Sequence, residues 1–155
     1  MKLRTIVFAL FAAVAVTISV SCTGQRLFSG LDDLNGVEIT YVSPALMKLA
    51  RLSPGSGGNL RKSATSLEVV EISSKSAKEA RKKVMAVVDS LKLEALIEQV
   101  DEDEKVRILV KPGAKEDTFT KLVVVDDDKE DGLTILVMDG EFTLKDIYSQ
   151  YPMTF

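Results

Sequence analysis

Several stretches of this 155-residue chain hold residue types that could do chemistry. The run Asp126-Asp127-Asp128-Lys129-Glu130-Asp131 places five carboxylates within six residues. Such a loop has the oxygen ligands a hard cation such as calcium requires. An EF-hand-like register would use Asp126, Asp128 and Glu130 and then needs a glycine. Asp131 stands there instead, Gly132 comes one position late, and the final ligand position falls on Val137. The run therefore reads as a charged hairpin tip, and no metal is expected. A second stretch, Ser53 to Asn59, holds Pro54, Gly55, Gly57 and Gly58. A phosphate-cradling loop needs the spacing Gly-x4-Gly-Lys-Ser/Thr after a strand; this one follows a helical pattern and reads as a flexible connection. A third, with Lys78, Arg81, Lys82, Lys83 and Lys92, has no aromatic residues interleaved. It reads as the solvated face of a helix rather than a nucleic-acid patch.

The chain has no histidine. That removes the commonest general base and transition-metal ligand, and with it Ser–His–Asp and Cys–His catalysis. Paired carboxylates could still hydrolyse glycosides, but one partner needs a raised pKa in a cleft. The acidic residues here cluster in turns, where water keeps them ionised. No catalytic residue and no cofactor is expected, and the protein reads as a non-enzyme.

The fourth stretch is the beginning of the chain. Lys2 and Arg4 precede an uncharged run from Thr5 to Val20, followed by Ser21 and Cys22. A positive start, an apolar middle and small residues before a cleavage point describe a secretory signal peptide. As a helix, Thr5 to Val20 would span roughly 24 Å, short of the roughly 30 Å hydrocarbon core. Cys22 is the only cysteine, and Ser19-Val20-Ser21-Cys22 resembles a lipobox, with Ser19 where a Leu-like residue is usual. Lipidation of Cys22 is expected. Its acyl chains would anchor the protein, since stable membrane attachment needs more than one chain. No acidic run follows Cys22, which favours the outer membrane with the domain facing the periplasm.

The elements that must carry these residues follow from periodicity. Three parts are expected: a signal peptide at 1–21, the lipidated cysteine with a short tether at 22–35, and one domain at 36–155. Without Lys2 and Arg4 the 20 basic residues fall to 18 against 23 acidic ones, a net charge of −5. That balance argues against nucleic acid as a partner. Alternation predicts strands at Val37 to Val42, Leu67 to Ser73, Val106 to Lys111, Phe119 to Val125 and Leu133 to Met138. Ser43-Pro44 predicts a helix start, with Leu46, Leu49, Ala50 and Leu52 at helical spacing. Ser76 and Glu79 form a potential capping box before a helix with Ala77, Ala80, Val84, Val87, Val88 and Leu91 on one stripe. Leu93, Leu96, Ile97 and Val100 read as a further helical segment. Thr143 caps a last helix that turns Leu144, Ile147, Tyr148 and Tyr151 to the core. The resulting fold is α+β and two-layered, β-α-β-α-β-β-β-α, with helices on one face of a mostly antiparallel five-stranded sheet.

The last two strands are apolar on both sides. Either the N-terminal segment or a helix covers the second side, or Leu122, Val124, Leu136 and Met138 form an exposed patch that binds a partner.

The order of these segments carries a resemblance. A cysteine near the start is followed by Gly-Val-x-x-x-Tyr-Val-Ser (Gly36 to Ser43), a basic helix (Ala77 to Leu91) and Val-Arg-Ile-x-Val-Lys (Val106 to Lys111). The Lys121 to Val125 strand and Leu-x-x-x-Gly-x-x-x-Leu-x-x-Ile (Leu136 to Ile147) come last. This is similar to the domain of unknown function 4252 family, small lipoproteins of Bacteroidota. The resemblance implies an envelope lipoprotein and transfers no site residue. The expected role is a non-enzymatic protein-interaction module held at the membrane by the lipid on Cys22. A module for a small ligand or cell-wall fragment is the alternative.

Overall fold

The computed structural model describes residues 26–52, 59–73 and 78–151. Six strands form one antiparallel sheet: β1 (Val37–Val42), β2 (Ala64–Ile72), β3 (Glu94–Val100), β4 (Glu104–Pro112), β5 (Thr118–Asp128) and β6 (Gly132–Thr143). Their order across the sheet is β1-β2-β6-β5-β4-β3. The helices are α1 (Pro44–Leu52), α2 (Asn59–Ser63), α3 (Lys78–Ser90) and α4 (Leu144–Gln150). The α+β class and the antiparallel sheet agree with the sequence reading. The strand number, the element order and the one-sided helix layer do not.

The sixth strand is β3, read from sequence as a helical segment. Leu93, Leu96, Ile97 and Val100 have helical spacing, yet a β-bulge between Ala95 and Ile97 breaks the pairing register with β4. A bulge inserts one residue and disturbs the two-residue alternation. Here it lets the neighbours Leu96 and Ile97 pack into the same core cluster. The apparent helical period is thus a strand period with one residue inserted. Before it, α3 ends through Leu91 and Lys92, with Lys92 in the left-handed region (φ 49°).

Helices cover both faces of the sheet because strands β5 and β6 are apolar on both. On the front face, Leu122, Val124, Leu136 and Met138 pack with Met47 of α1, Leu60 of α2, Ile147 of α4, and Phe142 and Tyr151. On the back face, Val123, Val125, Leu133, Ile135 and Val137 pack against Ala80, Val84 and Val88 of α3 and against Phe28. The segment before β1, expected as a tether, therefore contributes Phe28 to the core, with Leu27, Leu31 and Leu34 packed partly buried against it.

Local chemistry sets the helix starts. The Ser43 hydroxyl accepts from Leu46 N at 3.4 Å, as expected of an N-cap. Thr143 and Asp146 form a complete capping box, in which Thr143 Oγ1 accepts from Asp146 N at 3.3 Å and Asp146 Oδ2 accepts from Thr143 N at 2.9 Å. Ser76, the cap expected for α3, lies outside the described residues. Within the helices, Met47 is buried while Leu49 is 62% exposed, and Ile147 is buried while Tyr148 is 41% exposed. These two exposures reverse the sequence expectation.

Gly140 fixes how α2 meets the sheet. A Cβ there would lie 2.3 Å from Ser63 O and 3.0 Å from Ala64 Cα. Both are backbone atoms, so only a glycine lets the end of α2 run this close to β6.

Candidate functional site

The residues expected to form an apolar docking patch do not form one. Leu122, Val124, Leu136 and Met138 are each at most 4% exposed. Their positions on one face were read correctly, but α1, α2 and α4 lie over them. The covered second face was the other reading open from the sequence, and it is the one observed.

The acidic hairpin is divided by strand alternation. Strands β5 and β6 run on to the pair Asp128–Gly132, leaving Lys129-Glu130-Asp131 as the tip. Asp126 faces front and is buried. Asp127 faces back and meets Arg81 of α3 at 3.0 Å. Asp128 Oδ1 accepts from Glu130 N at 2.7 Å and from Asp131 N at 2.9 Å, closing the turn from within. Gly132 completes it with φ at 102°. Consecutive carboxylates on a strand point to opposite faces, so Asp126 and Asp127 do not converge on one ion. Among the described residues no group of three or more His, Cys, Asp or Glu side chains is placed to hold a metal.

Strand register gathers a polar row on the front face that the sequence did not reveal. Glu38 pairs with Glu71, Glu71 with Thr134, and Thr134 with Asp126. Glu38, Glu71 and Thr134 line a groove of about 310 Å³ with Asp131. Tyr151 is buried in the front core, and its hydroxyl has no hydrogen-bond partner among the described residues. Burial, and secondarily the charge of Asp126, push this hydroxyl well above the ordinary tyrosine range.

A larger groove, about 560 Å³, opens at the same end of the sheet on the back face. Its walls are Lys78 and Arg81 at the start of α3, Asp127 of β5, Lys105 of β4, Val100 of β3 and the loop Asp101 to Glu104. The groove exists because α3 does not reach across to the edge of the sheet. No residue of β3 belongs to the back-face core cluster. Glu98 and Val100, which face back, are consequently exposed, Val100 by 67%. Lys105 crosses to Glu98 at 2.8 Å. That hydrogen bond, with the charge of Lys105, holds the Glu98 carboxyl below the usual carboxylate range. Lys129 bonds the carbonyl of Glu102 and lies 3.6 Å from Asp103, tying the hairpin tip to the loop after β3. The arrangement offers one apolar contact rimmed by paired charges. It is illegible in the sequence because Val100 falls on the helical spacing of Leu93, Leu96 and Ile97.

The back face also carries a buried carboxylate that no motif indicated. Glu68 is 4% exposed. Its Oε2 accepts from Leu27 N at 2.8 Å and its Oε1 from Phe28 N at 3.1 Å. The only hint was a charge within the otherwise apolar spacing of Val70 and Ile72.

The model of the family described as Domain of unknown function (DUF4252) matches residues 31–149, well over half of the chain. The chain belongs to that family. The match covers every described element of this DUF4252 domain except the last residue of α4 and the residues before Leu31 that dock on Glu68. Neither the curated proteins nor the solved structures contain a match to it. Residues 1–25, with Cys22 and the expected signal peptide, lie outside the described residues. Among the described residues no helix is long and apolar enough to cross a membrane.

Proposed function

We propose that this DUF4252 domain is a lipid-anchored cell-envelope protein, tethered through Cys22, that works as a non-enzymatic protein-interaction module. The anchor rests on the sequence from Met1 to Cys22. With both sheet faces closed, the interaction reading moves from the sheet to the uncovered back flank of β3. The observation that carries it is the groove around Val100, where an exposed apolar side chain is rimmed by charges of both signs, the acidic loop Asp101 to Glu104 and Asp127 beside Lys78, Arg81, Lys105 and Lys129. An apolar contact inside a charged rim is the usual anatomy of a protein–protein contact. The mixed rim fits a partner segment that sets one apolar side chain among charged groups of both signs.

Binding of a small ligand or cell-wall fragment is the second reading. The groove falls within the ~300–1,000 Å³ typical of small-molecule sites, which favours it. Such sites are enclosed, whereas this one is open and rimmed by charged side chains, which favours a macromolecule.

The test is a cross-linked pull-down of the lipidated protein from its own membrane, beside a Val100→Glu variant. Val100 is exposed, so the variant should keep its native stability. The expected result is a specific partner that cross-links through the groove and is lost at least tenfold in the variant. A partner retained by the variant, or none with either form, overturns the β3 flank as the docking surface.

A further inference from the structure

From Arg26, four residues after Cys22 and the first described, the chain is built into the fold. Phe28 has no exposed surface and belongs to the back-face core. The Glu68 carboxylate takes the backbone N–H groups of Leu27 and Phe28, one on each oxygen. The Arg26 guanidinium lies over the Tyr41 ring, 5.4 Å from its centroid. Successive turn hydrogen bonds, Leu31 N to Phe28 O, Leu34 N to Leu31 O and Val37 N to Leu34 O, carry the chain into β1 without slack. A buried ring, charge-assisted hydrogen bonds and a cation–π contact thus fasten one short segment in three ways.

We infer that this strap sets the orientation of the domain on a lipid surface, with the β1 edge held near the bilayer and the β3 flank pointing away from it. The inference rests on the lipid anchor at Cys22 proposed above. From Cys22 to Arg26 the chain has four residues, which reach at most about 14 Å. Arg26 sits on Tyr41 of β1, at one edge of the sheet. Strand β3 is the other edge, five strand spacings away, or about 24 Å at about 4.8 Å per spacing. A free 14-residue linker would instead have a mean reach of about 20 Å and allow every orientation. The strap cuts the free tether from 14 residues to four and so keeps the β1 edge, rather than the β3 edge, within about 14 Å of the anchor. It turns the groove of Val100 and the acidic loop Asp101 to Glu104 towards the aqueous side, where a partner can reach them.

The experiment uses the full lipidated protein in phosphatidylcholine vesicles that carry an energy-transfer acceptor on the headgroups. Cys22, the only native cysteine, is acylated, so one introduced thiol can be labelled with a donor. Thr40→Cys marks β1 and Gln99→Cys marks β3, both at exposed positions. The expected result is transfer several-fold stronger from position 40 than from position 99. Glu68→Ala and, separately, Phe28→Ala should bring the two values together, with circular dichroism checking that each variant is folded. Equal transfer from the two positions in the otherwise native strap overturns the inference while leaving the anchor standing. If the native protein binds vesicles no better than a Cys22→Ser variant, the anchor itself fails and the inference with it.

Discussion

On the back face of the sheet a single 13-residue helix, α3, lies over the core, and Leu27, Phe28, Leu31 and Leu34 of the strap pack beside it. On the front face the same job is shared by helices of nine, five and seven residues. Helices shorter than about 12 residues are marginal in water by themselves. The front cover therefore depends on tertiary fastenings: the Ser43 cap, the Thr143–Asp146 box and the close approach at Gly140. The back cover has a long amphipathic helix that keeps its own register, and its weak point is instead the end of the strap. The comparison shows that the two sides of one sheet can be closed by one continuous helix or by several short ones held by caps and close contacts.

The largest test of this contrast is Gly140→Ala. The new methyl would meet backbone at Ser63 and Ala64, and neither can step aside cheaply. A loss of about 3 kcal/mol is expected from such overpacking, read as a lower urea midpoint with an unchanged slope. A loss below about 1 kcal/mol would mean that α2 is free to shift, and the front cover would not depend on this contact.

On the back face, Glu68→Ala leaves the N–H groups of Leu27 and Phe28 without their acceptor. It should cost about 2 kcal/mol. Amide exchange should rise at residues 27–34 while α3 stays protected. Exchange rising equally in α3 would show that the strap and helix are one cooperative unit and erase the distinction drawn above.

The smallest effect is expected from Tyr151→Phe. Removing a buried hydroxyl without a partner should leave stability unchanged or raise it by about 1 kcal/mol. The pH dependence has a definite sign. The folded hydroxyl holds its proton above the ordinary value of 10.0, because burial penalises the phenolate. The unfolded chain ionises first, so native stability should fall as pH rises above about 10. The Phe variant should lack the part of this alkaline loss that belongs to Tyr151. An identical alkaline profile in both proteins would place the Tyr151 hydroxyl in water.

What the sequence made legible follows from which signals are local. Val37 to Val42, the Ser43 and Thr143 caps and the stripe Ala80, Val84, Val88 all announce themselves within a few residues, and the structure agrees with each. The two-sided apolarity of β5 and β6 was equally plain, but its cover comes from segments distant in sequence, so the choice between a patch and a core needed the tertiary structure. Leu96 and Ile97 misled because a bulge imitates helical spacing. Gly140 stood in the motif Leu136 to Ile147 as a bare letter, and its reason, the backbone of Ser63 and Ala64, lies more than seventy residues earlier. The polar row of Glu38, Glu71, Thr134 and Asp126 comes from four different strands and has no signature along the chain.

The strand order β1-β2-β6-β5-β4-β3 has a consequence for the time course of synthesis. Strand β6, the last made, is the seam that joins the β1–β2 pair to the β3–β4–β5 meander. Until it emerges, β2 has only β1 beside it, and the two blocks have no shared edge. Pairing across such a long sequence separation is slow because the loop must close before any contact rewards it. The two blocks therefore stay unjoined until β6 is available, and the sheet closes as one only in the last step.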